Sequence, residues 1–342
     1  MKKILVTGAS GFLGGQVLAL LAADERFEPL ALLLPDDVRP LTVDVPIRRG
    51  DVRDYPAVRD ACAGVDAVLH LAGVISYWRR DAGLLDAVNR GGVANVVRAC
   101  RETGVRRLVH VSSVGAVGFC DGGAEADETQ PFNWPHGLYY MQSKREGEEL
   151  VLAAAGDGSL DAVVLNPASI MGPGDPDPNT PHNRLYASMY GRPFFFGSFA
   201  GGLAVVDARD LAAAVVAALE KGRSGERYLI VGANLEYRSV LRSLGARARK
   251  PVWPARLPPA LLTAAGLAAE LVAEITRKRP LLTAAYGRIS GLRAYYSNRK
   301  SVAELGASYR PFAETVDAGC TYFEERFLGR GVTRQEPGAA GR

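Results

Sequence analysis

Hydrophobic and polar positions divide the first half of the chain into short apolar segments that alternate with amphipathic ones. The apolar segments predict strands at Ile4–Val6, Leu30–Leu34, Ile47–Arg49, Ala67–Leu71, Arg107–Val111 and Ala162–Leu165. The amphipathic segments predict helices at Gly11–Ala23, Tyr55–Ala61, Leu84–Thr103 and Leu138–Ala155. Apolar strands that alternate with helices are typical of a parallel sheet covered on both faces. We therefore predict an α/β protein with a doubly wound parallel sheet.

The alternation ends after Leu165. The segment Asn166–Asn183 is rich in Gly, Pro, Asp and Asn, and it is predicted to be a loop without regular structure. Beyond it, the pattern predicts helices at Arg184–Tyr190 and Asp207–Glu220, a strand at Tyr228–Val231 and mostly helical segments from about Glu236. We expect a first domain at 1–165 with about 204–232, a smaller, mostly helical lobe at 166–203 and 233–330, and a disordered tail at 331–342.

The first predicted strand runs into a glycine-rich turn. Gly8, Gly11 and Gly14 follow the strand, and a helix begins among them. The N-terminus of a helix carries partial positive charge, and glycine lets a phosphate approach the backbone, so this turn predicts a pyrophosphate site. Asp51 follows a later strand, and this context strengthens the prediction of a dinucleotide ligand.

Tyr140 and Lys144 lie four residues apart in the predicted helix Leu138–Ala155, so their side chains share one helix face. A free tyrosine has a pKa of about 10, and an ammonium group one turn away stabilises the phenolate and lowers that pKa. The pair is suited to protonate an alkoxide, or to deprotonate an alcohol, during hydride transfer. Tyr139 stands five residues from Lys144, a spacing that turns the two side chains apart.

The same spacing recurs at Tyr296 and Lys300, and we assign a structural role rather than a catalytic one to this second pair. The first copy is distinguished by Ser112 and Ser113, which follow the strand Arg107–Val111 at the edge where open α/β sheets bind ligands. A serine hydroxyl at that place can bond a substrate oxygen and orient the tyrosine. Alternatively, both serines only satisfy backbone groups at the end of the strand.

Composition narrows the classes of function. The chain has 342 residues, of which 48% are hydrophobic and 23% charged, and its formal net charge is +4. These values are ordinary for a soluble protein, and the basic residues are scattered, so we expect no nucleic-acid partner. The four cysteines show no CxxC spacing and the four histidines no HxxxH pairing, which argues against a disulfide framework or a metal site.

Two further features bear on location. The N-terminus enters the first strand at once, which leaves no room for a signal peptide. The longest apolar run, Leu257–Ile275, contains two prolines, Glu270 and Glu274, and it is predicted to be an amphipathic helix rather than a membrane span. We therefore expect a cytoplasmic protein.

Taken together, these motifs resemble the extended short-chain dehydrogenase/reductase family over nearly the whole chain. The segments that carry the resemblance are Thr7–Gly14, Gly50–Val52, His70–Gly73, Asn89, Ser112–Ser113, Tyr140 with Lys144, Asn166–Pro167 and Val206–Asp210. Within the family, Leu165–Ser169, Gly172–Asp175, Gly225–Tyr228 and Tyr295–Lys300 resemble the dihydroflavonol-4-reductase-like and 3β-hydroxysteroid-dehydrogenase-like branch. The resemblance implies a Rossmann domain, a catalytic Ser/Tyr/Lys triad and a C-terminal substrate lobe.

The resemblance also implies roles for individual residues. The catalytic residues would be Ser113, Tyr140 and Lys144, with Ser112 as the alternative serine. Residues implied to bind the cofactor are Thr7, Gly8, Ser10, Gly11, Phe12, Leu13, Gly14, Asp51, Val52, Leu71, Ala72, Gly73, Ser112, Tyr140, Lys144, Asn166, Pro167 and Ser169. Asn89 is expected to brace the strands beneath the site.

The choice of cofactor depends on the residue that ends the second strand. Leu34 stands there, followed by Asp36, Asp37 and Arg39, and this fits neither an acid that holds a ribose hydroxyl nor an arginine that holds a 2′-phosphate. Relatives in the reductase branch mostly use the phosphorylated cofactor. We therefore expect NAD(P), with a slight preference for NADP.

The substrate side gives two alternatives. Tyr77 and Trp78, the Met171–Asn183 loop and Phe194–Phe196 could wall a pocket for a hydrophobic carbonyl compound, with Ser113 and Tyr140 at its reacting group. The phenylalanine run could instead pack the core of its own lobe. Basic residues of the second lobe could hold the diphosphate of a nucleotide sugar: Arg184, Arg192, Arg288 and Arg293.

Two function classes follow. One is a reductase or dehydrogenase that acts on a small or hydrophobic ketone or alcohol. The other is a nucleotide-sugar epimerase or dehydratase with tightly held NAD. A non-catalytic cofactor-binding protein is disfavoured because Ser113, Tyr140 and Lys144 are all present. The expected partner is a small-molecule substrate, and a homodimer is left open.

Overall fold

Seven parallel strands form the central sheet. The computed structural model describes residues 1–190, 197–250, 252, 255–280 and 282–329. Its strands are β1 (Lys2–Thr7), β2 (Phe27–Leu33), β3 (Ile47–Arg49), β4 (Ala67–His70), β5 (Arg107–Val111), β6 (Glu125–Ala126), β7 (Asp161–Pro167), β8 (Ser169–Met171), β9 (Gly197–Phe199), β10 (Gly202–Asp207), β11 (Arg227–Ile230), β12 (Ala233–Glu236), β13 (Ala255–Leu257) and β14 (Arg293–Tyr296). The central sheet has the order β11-β7-β5-β4-β1-β2-β3, with every neighbouring pair parallel. The predicted doubly wound α/β fold is confirmed.

Helices cover both faces of this sheet. The α-helices are α1 (Phe12–Ala22), α2 (Tyr55–Cys62), α3 (Ala82–Leu85), α4 (Val93–Thr103), α5 (Tyr139–Gly156), α6 (Pro181–Tyr190), α7 (Ala208–Lys221), α8 (Tyr237–Arg247), α9 (Pro259–Thr276), α10 (Ala284–Ile289) and α11 (Phe312–Leu328). Helices α1 and α7 pack together on one face, and α2, α4 and α5 on the other. The helix predicted at Leu84–Thr103 begins at Ala82 and contains a π-helical segment, Asp86–Gly92, between α3 and α4.

The strand β1 shows why the central strands are continuously apolar. Ile4 and Val6 lie in the core on the α1 and α7 side, whereas Leu5 lies in the core on the α2, α4 and α5 side. Successive side chains of a strand point to opposite faces, so a strand with helices on both sides has no solvent-facing position to fill with polar residues.

Five other strands form a second sheet. It has the order β12-β10-β14-β6, with β8 paired to β10. The prediction of a loop without regular structure at Asn166–Asn183 is wrong, because Ser169–Met171 pairs in parallel with Val205–Asp207 and α6 begins at Pro181. A strand that exists through a distant partner leaves little trace in local composition.

The stretch at 204–232 divides between the two sheets. Its strand β11 joins the central sheet beside β7, whereas β10 belongs to the second sheet. The division of the chain into two domains stays a prediction. Phe194–Phe196, Arg192 and the tail at 331–342 lie outside the described residues.

Candidate functional site

The glycine-rich turn is built for close backbone packing. Gly8 has φ +68°, and a Cβ at this position would lie 2.8 Å from the backbone nitrogen of Ala72, which follows β4. A Cβ on Gly14 would lie 2.2 Å from the carbonyl oxygen of Gly8. Helix α1 begins at Phe12 after Gly11, with neither a side-chain cap nor an acidic residue in its first turn. This uncapped helix end fits a pyrophosphate group.

Thr7 ties this turn to the end of β4. Its Oγ1 lies 2.7 Å from His70 Nδ1 and accepts the backbone N–H groups of Leu71 and Ala72, each at 3.2 Å. Burial lowers the pKa of His70 to about 3. Thr7 and a neutral His70 therefore fix the Leu71–Gly73 segment at the carboxyl edge of the sheet.

A charged cluster stands where β2 ends. Ser10 Oγ donates to Asp37 Oδ2 at 2.5 Å, and Arg39 pairs with the same carboxylate at 2.7 Å. These contacts hold the pKa of Asp37 well below its usual range. Leu34, the residue on which the cofactor prediction depended, is 45% exposed. The charged contacts to the glycine-rich turn come instead from Asp37 and Arg39, a few residues further on.

Asp51 and Val52 follow β3 at the same edge. The Asp51 carboxylate binds Arg53 at 2.6 Å, and this hydrogen-bonded pair lowers the pKa of Asp51. Val52 is buried, and its carbonyl oxygen accepts from Asn95 Nδ2 at 2.9 Å. Their predicted contacts with the cofactor remain predictions.

Ser113 and Tyr140 meet at the carboxyl end of β5. Ser113 Oγ accepts the backbone N–H of Gly115 at 3.0 Å, and Ser113 lowers the pKa of Tyr140 as a hydrogen-bonding neighbour. A Cβ on Gly115 would lie 3.3 Å from Ser113 Oγ and 3.7 Å from Tyr140 Cε1. Ser112 is buried, and its Oγ has no hydrogen-bond partner among the described residues. Of the two serines, Ser113 is the one that acts on the pKa of Tyr140.

Lys144 is buried one turn after Tyr140 on α5. Its Nζ donates to the carbonyl oxygen of Val111 at 2.9 Å, and a Cβ on Gly73 would lie 3.7 Å from the same Nζ. Burial lowers the pKa of Lys144 to about 8, while the charge of Glu148 raises it. Burial also raises the pKa of Tyr140. The neighbouring Ser113 acts in the opposite direction but more weakly, so the pKa of Tyr140 stays above its usual value. The expected net lowering of the Tyr140 pKa by Lys144 is therefore not found here.

A buried polar network that the sequence did not reveal supports this group. Asn166 Nδ2 donates to the backbone oxygen of Ser113 at 2.9 Å and to Glu148 Oε2 at 2.6 Å. Glu148 has no exposed surface and pairs with Arg227 at 3.2 Å. Its place four residues after Lys144 is the one sequence signal that could have suggested it.

The other predicted residues near this edge take different positions. Asn89 Nδ2 donates to the Val74 oxygen at 2.9 Å and to Ser143 Oγ at 3.0 Å, so it links the segment after β4 to α5, whereas it was expected to brace the strands. Pro167 ends β7, and Ser169 is exposed at the start of β8. Their cofactor contacts stay predictions.

Aromatic and aliphatic side chains surround the Tyr140 ring. Tyr77 meets it edge-on at a centroid distance of 5.8 Å, and Tyr286 of α10 lies 4.8 Å from Tyr77. The buried cluster around Tyr140 also contains Leu85, Leu138, Met141 and Ala285, with Val74, Phe132, Trp134 and Ile289 packed against it. Trp78, predicted beside Tyr77, packs under the guanidinium of Arg80 instead.

Phe199 and Tyr237 extend this aromatic wall. Phe199 lies 5.3 Å from Tyr286 and 4.9 Å from Tyr237 between ring centroids. The hydroxyls of Tyr237 and Tyr286 are 3.3 Å apart. The sequence did not predict that Phe199, Tyr237 and Tyr286 come together. They belong to β9, α8 and α10, which meet only through tertiary packing.

The second Tyr/Lys pair has a different geometry. Tyr296 ends the strand β14 and is almost fully buried in the core. Lys300 donates to Glu226 Oε2 at 2.6 Å and to the carbonyl oxygen of Arg227 at 2.9 Å. Because Tyr296 is not on a helix, the spacing does not place the two side chains on one helix face.

An uncapped helix after β1 and a Ser/Tyr/Lys group after β5, at the same edge of a Rossmann sheet, define an NAD-dependent oxidoreductase of the extended short-chain dehydrogenase type. The chain belongs to the NAD dependent epimerase/dehydratase family, whose model matches residues 4–231. Proteins similar to this chain span reductases, hydroxysteroid dehydrogenases and sugar epimerases or dehydratases, and some of the solved structures contain NAD.

Three similar proteins illustrate this range. The sterol demethylase protein B of Methylococcus capsulatus is 34% identical over 259 residues, which cover 75% of this chain and 78% of that protein. The short-chain dehydrogenase/reductase family 42E member 1 of Danio rerio is 29% identical, with 96% and 90% covered. The crystal structure of gox2253 superposes with a TM-score of 0.79 at 27% identity and covers 96% of this chain and 99% of that one.

Proposed function

We propose that this protein is an NAD(P)-dependent reductase or dehydrogenase for a hydrophobic ketone or alcohol, with Tyr140 as its acid/base. The observation that carries the proposal is that Tyr140 and Ser113 lie on either side of Gly115, with Tyr140 inside a cluster of aromatic and aliphatic side chains. A pocket wall of this composition suits the apolar part of a substrate. The hydroxyls of Ser113 and Tyr140 can both donate hydrogen bonds to one carbonyl oxygen of that substrate.

Each member of the group has a distinct task in this proposal. The uncapped start of α1 would hold the pyrophosphate, with Gly73 and Lys144 beside the nicotinamide end, and a bound nicotinamide would supply hydride exchange. Ser113 accepts or donates a hydrogen bond at the substrate oxygen and orients Tyr140. Tyr140 gives its phenolic proton to the developing alkoxide during reduction and takes it back during oxidation.

The choice between NAD and NADP turns on Asp37 and Arg39. Asp37 is neutralised by its ion pair, and the Arg39 side chain is 47% exposed, which leaves its guanidinium accessible to a 2′-phosphate. An arginine suits a phosphate, whereas a buried carboxylate suits a ribose hydroxyl. We propose that both cofactors bind, with a slight preference for NADP.

A nucleotide-sugar substrate has weaker support. Its diphosphate would need available cations, and Arg293 is already paired with Glu236 at 3.0 Å. Arg288 is exposed, and its terminal nitrogen would lie 3.5 Å from a Cβ on Gly137, just before α5. Retention of NAD through gel filtration, together with turnover of a nucleotide sugar, would favour the epimerase.

The cytoplasmic location of the protein and its assembly as a homodimer stay predictions.

The test is Tyr140→Phe, assayed by NADPH oxidation against a panel of hydrophobic ketones. The variant keeps the ring and its packing, so cofactor binding should persist while turnover falls by about 10²–10⁴-fold, the usual contribution of a positioned acid/base group. Tyr139→Phe is the matched control, because Tyr139 is the neighbouring tyrosine and 42% exposed. Equal activities of Tyr140→Phe and wild type would contradict the assignment.

A further inference from the structure

Helix α9 presents its apolar side to solvent. Its exposed residues before Thr276 are all apolar: Ala260, Leu261, Ala264, Ala265, Leu267, Ala268, Leu271, Val272 and Ile275. Leu271 is 68% exposed and Ile275 83% exposed. Among the described residues, α9 is also the helix that is long and apolar enough to cross a membrane, by length and composition only. A surface helix of a soluble domain normally turns its apolar stripe toward the core.

The opposite side of α9 packs on the protein through the buried residues Leu262, Gly266 and Ala273, and it also carries Glu270 and Glu274. Glu270 Oε1 accepts the backbone N–H of Ala284 at the start of α10, at 3.1 Å. Gly266 is buried against the same segment, where a Cβ would lie 2.4 Å from the backbone carbon of Thr283. These contacts fix the rotation of the helix, so the exposed apolar face is a feature of the folded protein.

Cations border the apolar face at the C-terminal end of α9. Arg277, Lys278 and Arg279 follow the helix and are exposed. Arg79 and Arg80 join them, because both contact Glu274 on the last turn of α9, Arg79 at 3.0 Å. Five cations therefore stand beside an apolar surface, and they outnumber the two carboxylates they contact, those of Glu274 and Asp81.

We propose that α9 lies in the interface of an anionic lipid membrane, with its apolar face among the acyl chains and the neighbouring cations at the headgroups. In-plane helices bind membranes through buried apolar area and attraction to anionic lipids, and this surface offers both. The helix does not span the bilayer, because its opposite side is bonded to α10 and to the Arg79 segment.

A second copy of the chain fits this face less well than a membrane does. Helix α9 has 18 residues, so it is about 27 Å long and, with side chains, about 10 Å across. A contact made by this strip alone would bury far less than the ~800 Å² per partner of a stable protein interface. The cations at its end give the surface a charge that anionic headgroups complement.

The placement would bring the candidate site close to a membrane-dissolved substrate. Helix α10, on which α9 packs, supplies Ala285 and Tyr286 to the apolar surroundings of Tyr140. A hydrophobic ketone could then enter from the bilayer without crossing water. This last step rests on the proposed function, whereas membrane binding does not.

The experiment is flotation of the full chain with phosphatidylcholine vesicles, prepared with and without phosphatidylglycerol. Wild type should float with the anionic vesicles, and added salt should weaken its binding. The pair Leu271→Gln and Ile275→Gln should weaken binding at least about tenfold, because two of the most exposed apolar side chains are lost from the membrane. The pair Arg277→Gln and Lys278→Gln should weaken the preference for phosphatidylglycerol, because two of the five cations are lost.

The matched control is the pair Leu20→Gln and Val302→Gln, which replaces exposed apolar residues elsewhere and should leave flotation unchanged. The proposal would be overturned if the wild-type protein floated with neither kind of vesicle. So would a wild-type dimer that becomes monomeric in the Leu271→Gln, Ile275→Gln variant, since a second copy would then cover α9. Activity on a water-soluble ketone is measured in parallel, so failure of the proposed function is seen separately from failure to bind vesicles.

Discussion

Replacing Lys144 by Met measures how much the buried charge beside Tyr140 lowers the free energy of unfolding. Lys144 is 6% exposed, and its Nζ has the Val111 carbonyl as a partner at 2.9 Å. Burial lowers its pKa from 10.5 to about 8 in the folded protein. Methionine has a similar length and carries no charge, so the variant keeps the packing and removes the titration.

The sign of the effect follows from proton binding. Below pH 8, Lys144 is protonated in the folded and the unfolded chain, and wild type carries the full penalty of the buried charge. Between pH 8 and pH 10.5 the unfolded chain binds more protons, so the stability of wild type rises with pH. The difference between the two pKa values corresponds to a change of about 3 kcal/mol in the free energy of unfolding, at about 1.4 kcal/mol per pKa unit. Above pH 10.5 both states are neutral at this position and the penalty is gone.

The assay is urea unfolding of both proteins without cofactor, from below pH 8 to above pH 10.5. The free energy of unfolding of wild type, minus that of Lys144→Met, should increase by about 3 kcal/mol over this range. Other titrating groups are common to both proteins and largely cancel in the difference. A difference that stays flat across the interval would refute the inferred burial of a charged lysine, and one that falls would show that a partner raises its pKa.

Three further variants test the rest of the site. Tyr296→Phe should leave the rate of hydride transfer within a few-fold of wild type, since this tyrosine lies in the core, and a loss equal to that of Tyr140→Phe would contradict its structural assignment. Gly14→Ala should abolish cofactor binding in a fluorescence titration, because the new Cβ would lie 2.2 Å from the Gly8 oxygen, and unchanged affinity would disprove the close packing of the turn. Arg39→Ala should lower the ratio of kcat/KM for NADPH over NADH by about 10–100-fold, as one lost charged hydrogen bond implies, and an unchanged ratio would remove Arg39 from cofactor selection.

The sequence was informative where function depends on local geometry. Tyr140 and Lys144 share a helix face because of their spacing, and Ser113 follows a strand whose end lies at the ligand-binding edge. Both relations are set by residues close together in the chain, which is why the motif could be interpreted before the structure. Tyr296 and Lys300 show the limit of such reasoning, since Tyr296 ends a strand and Lys300 lies beyond it, so their spacing does not place them on one face of a shared element.

Parts of the site that depend on distant contacts could not be predicted. Tyr286 reaches the neighbourhood of Tyr140 only because α10 packs there, and Asn166 meets Glu148 across two elements. The strand β8 forms through its pairing with β10. Desolvation is equally non-local. The sequence suggested a lowered pKa for Tyr140, but the residues that bury the phenol come from several separate segments, and their net effect raises it.

The two pKa shifts bear on the direction of the reaction. Burial raises the pKa of Tyr140 and lowers that of Lys144, so it disfavours the charged form of both groups. At neutral pH Tyr140 is therefore a phenol, which is the form that protonates an alkoxide, whereas oxidation of an alcohol requires the phenolate. We expect kcat/KM for ketone reduction to stay level through neutral pH, and kcat/KM for alcohol oxidation to rise with pH into the alkaline range. Oxidation that already reaches its plateau near neutral pH would mean that the Lys144 charge outweighs burial once the ligands are bound.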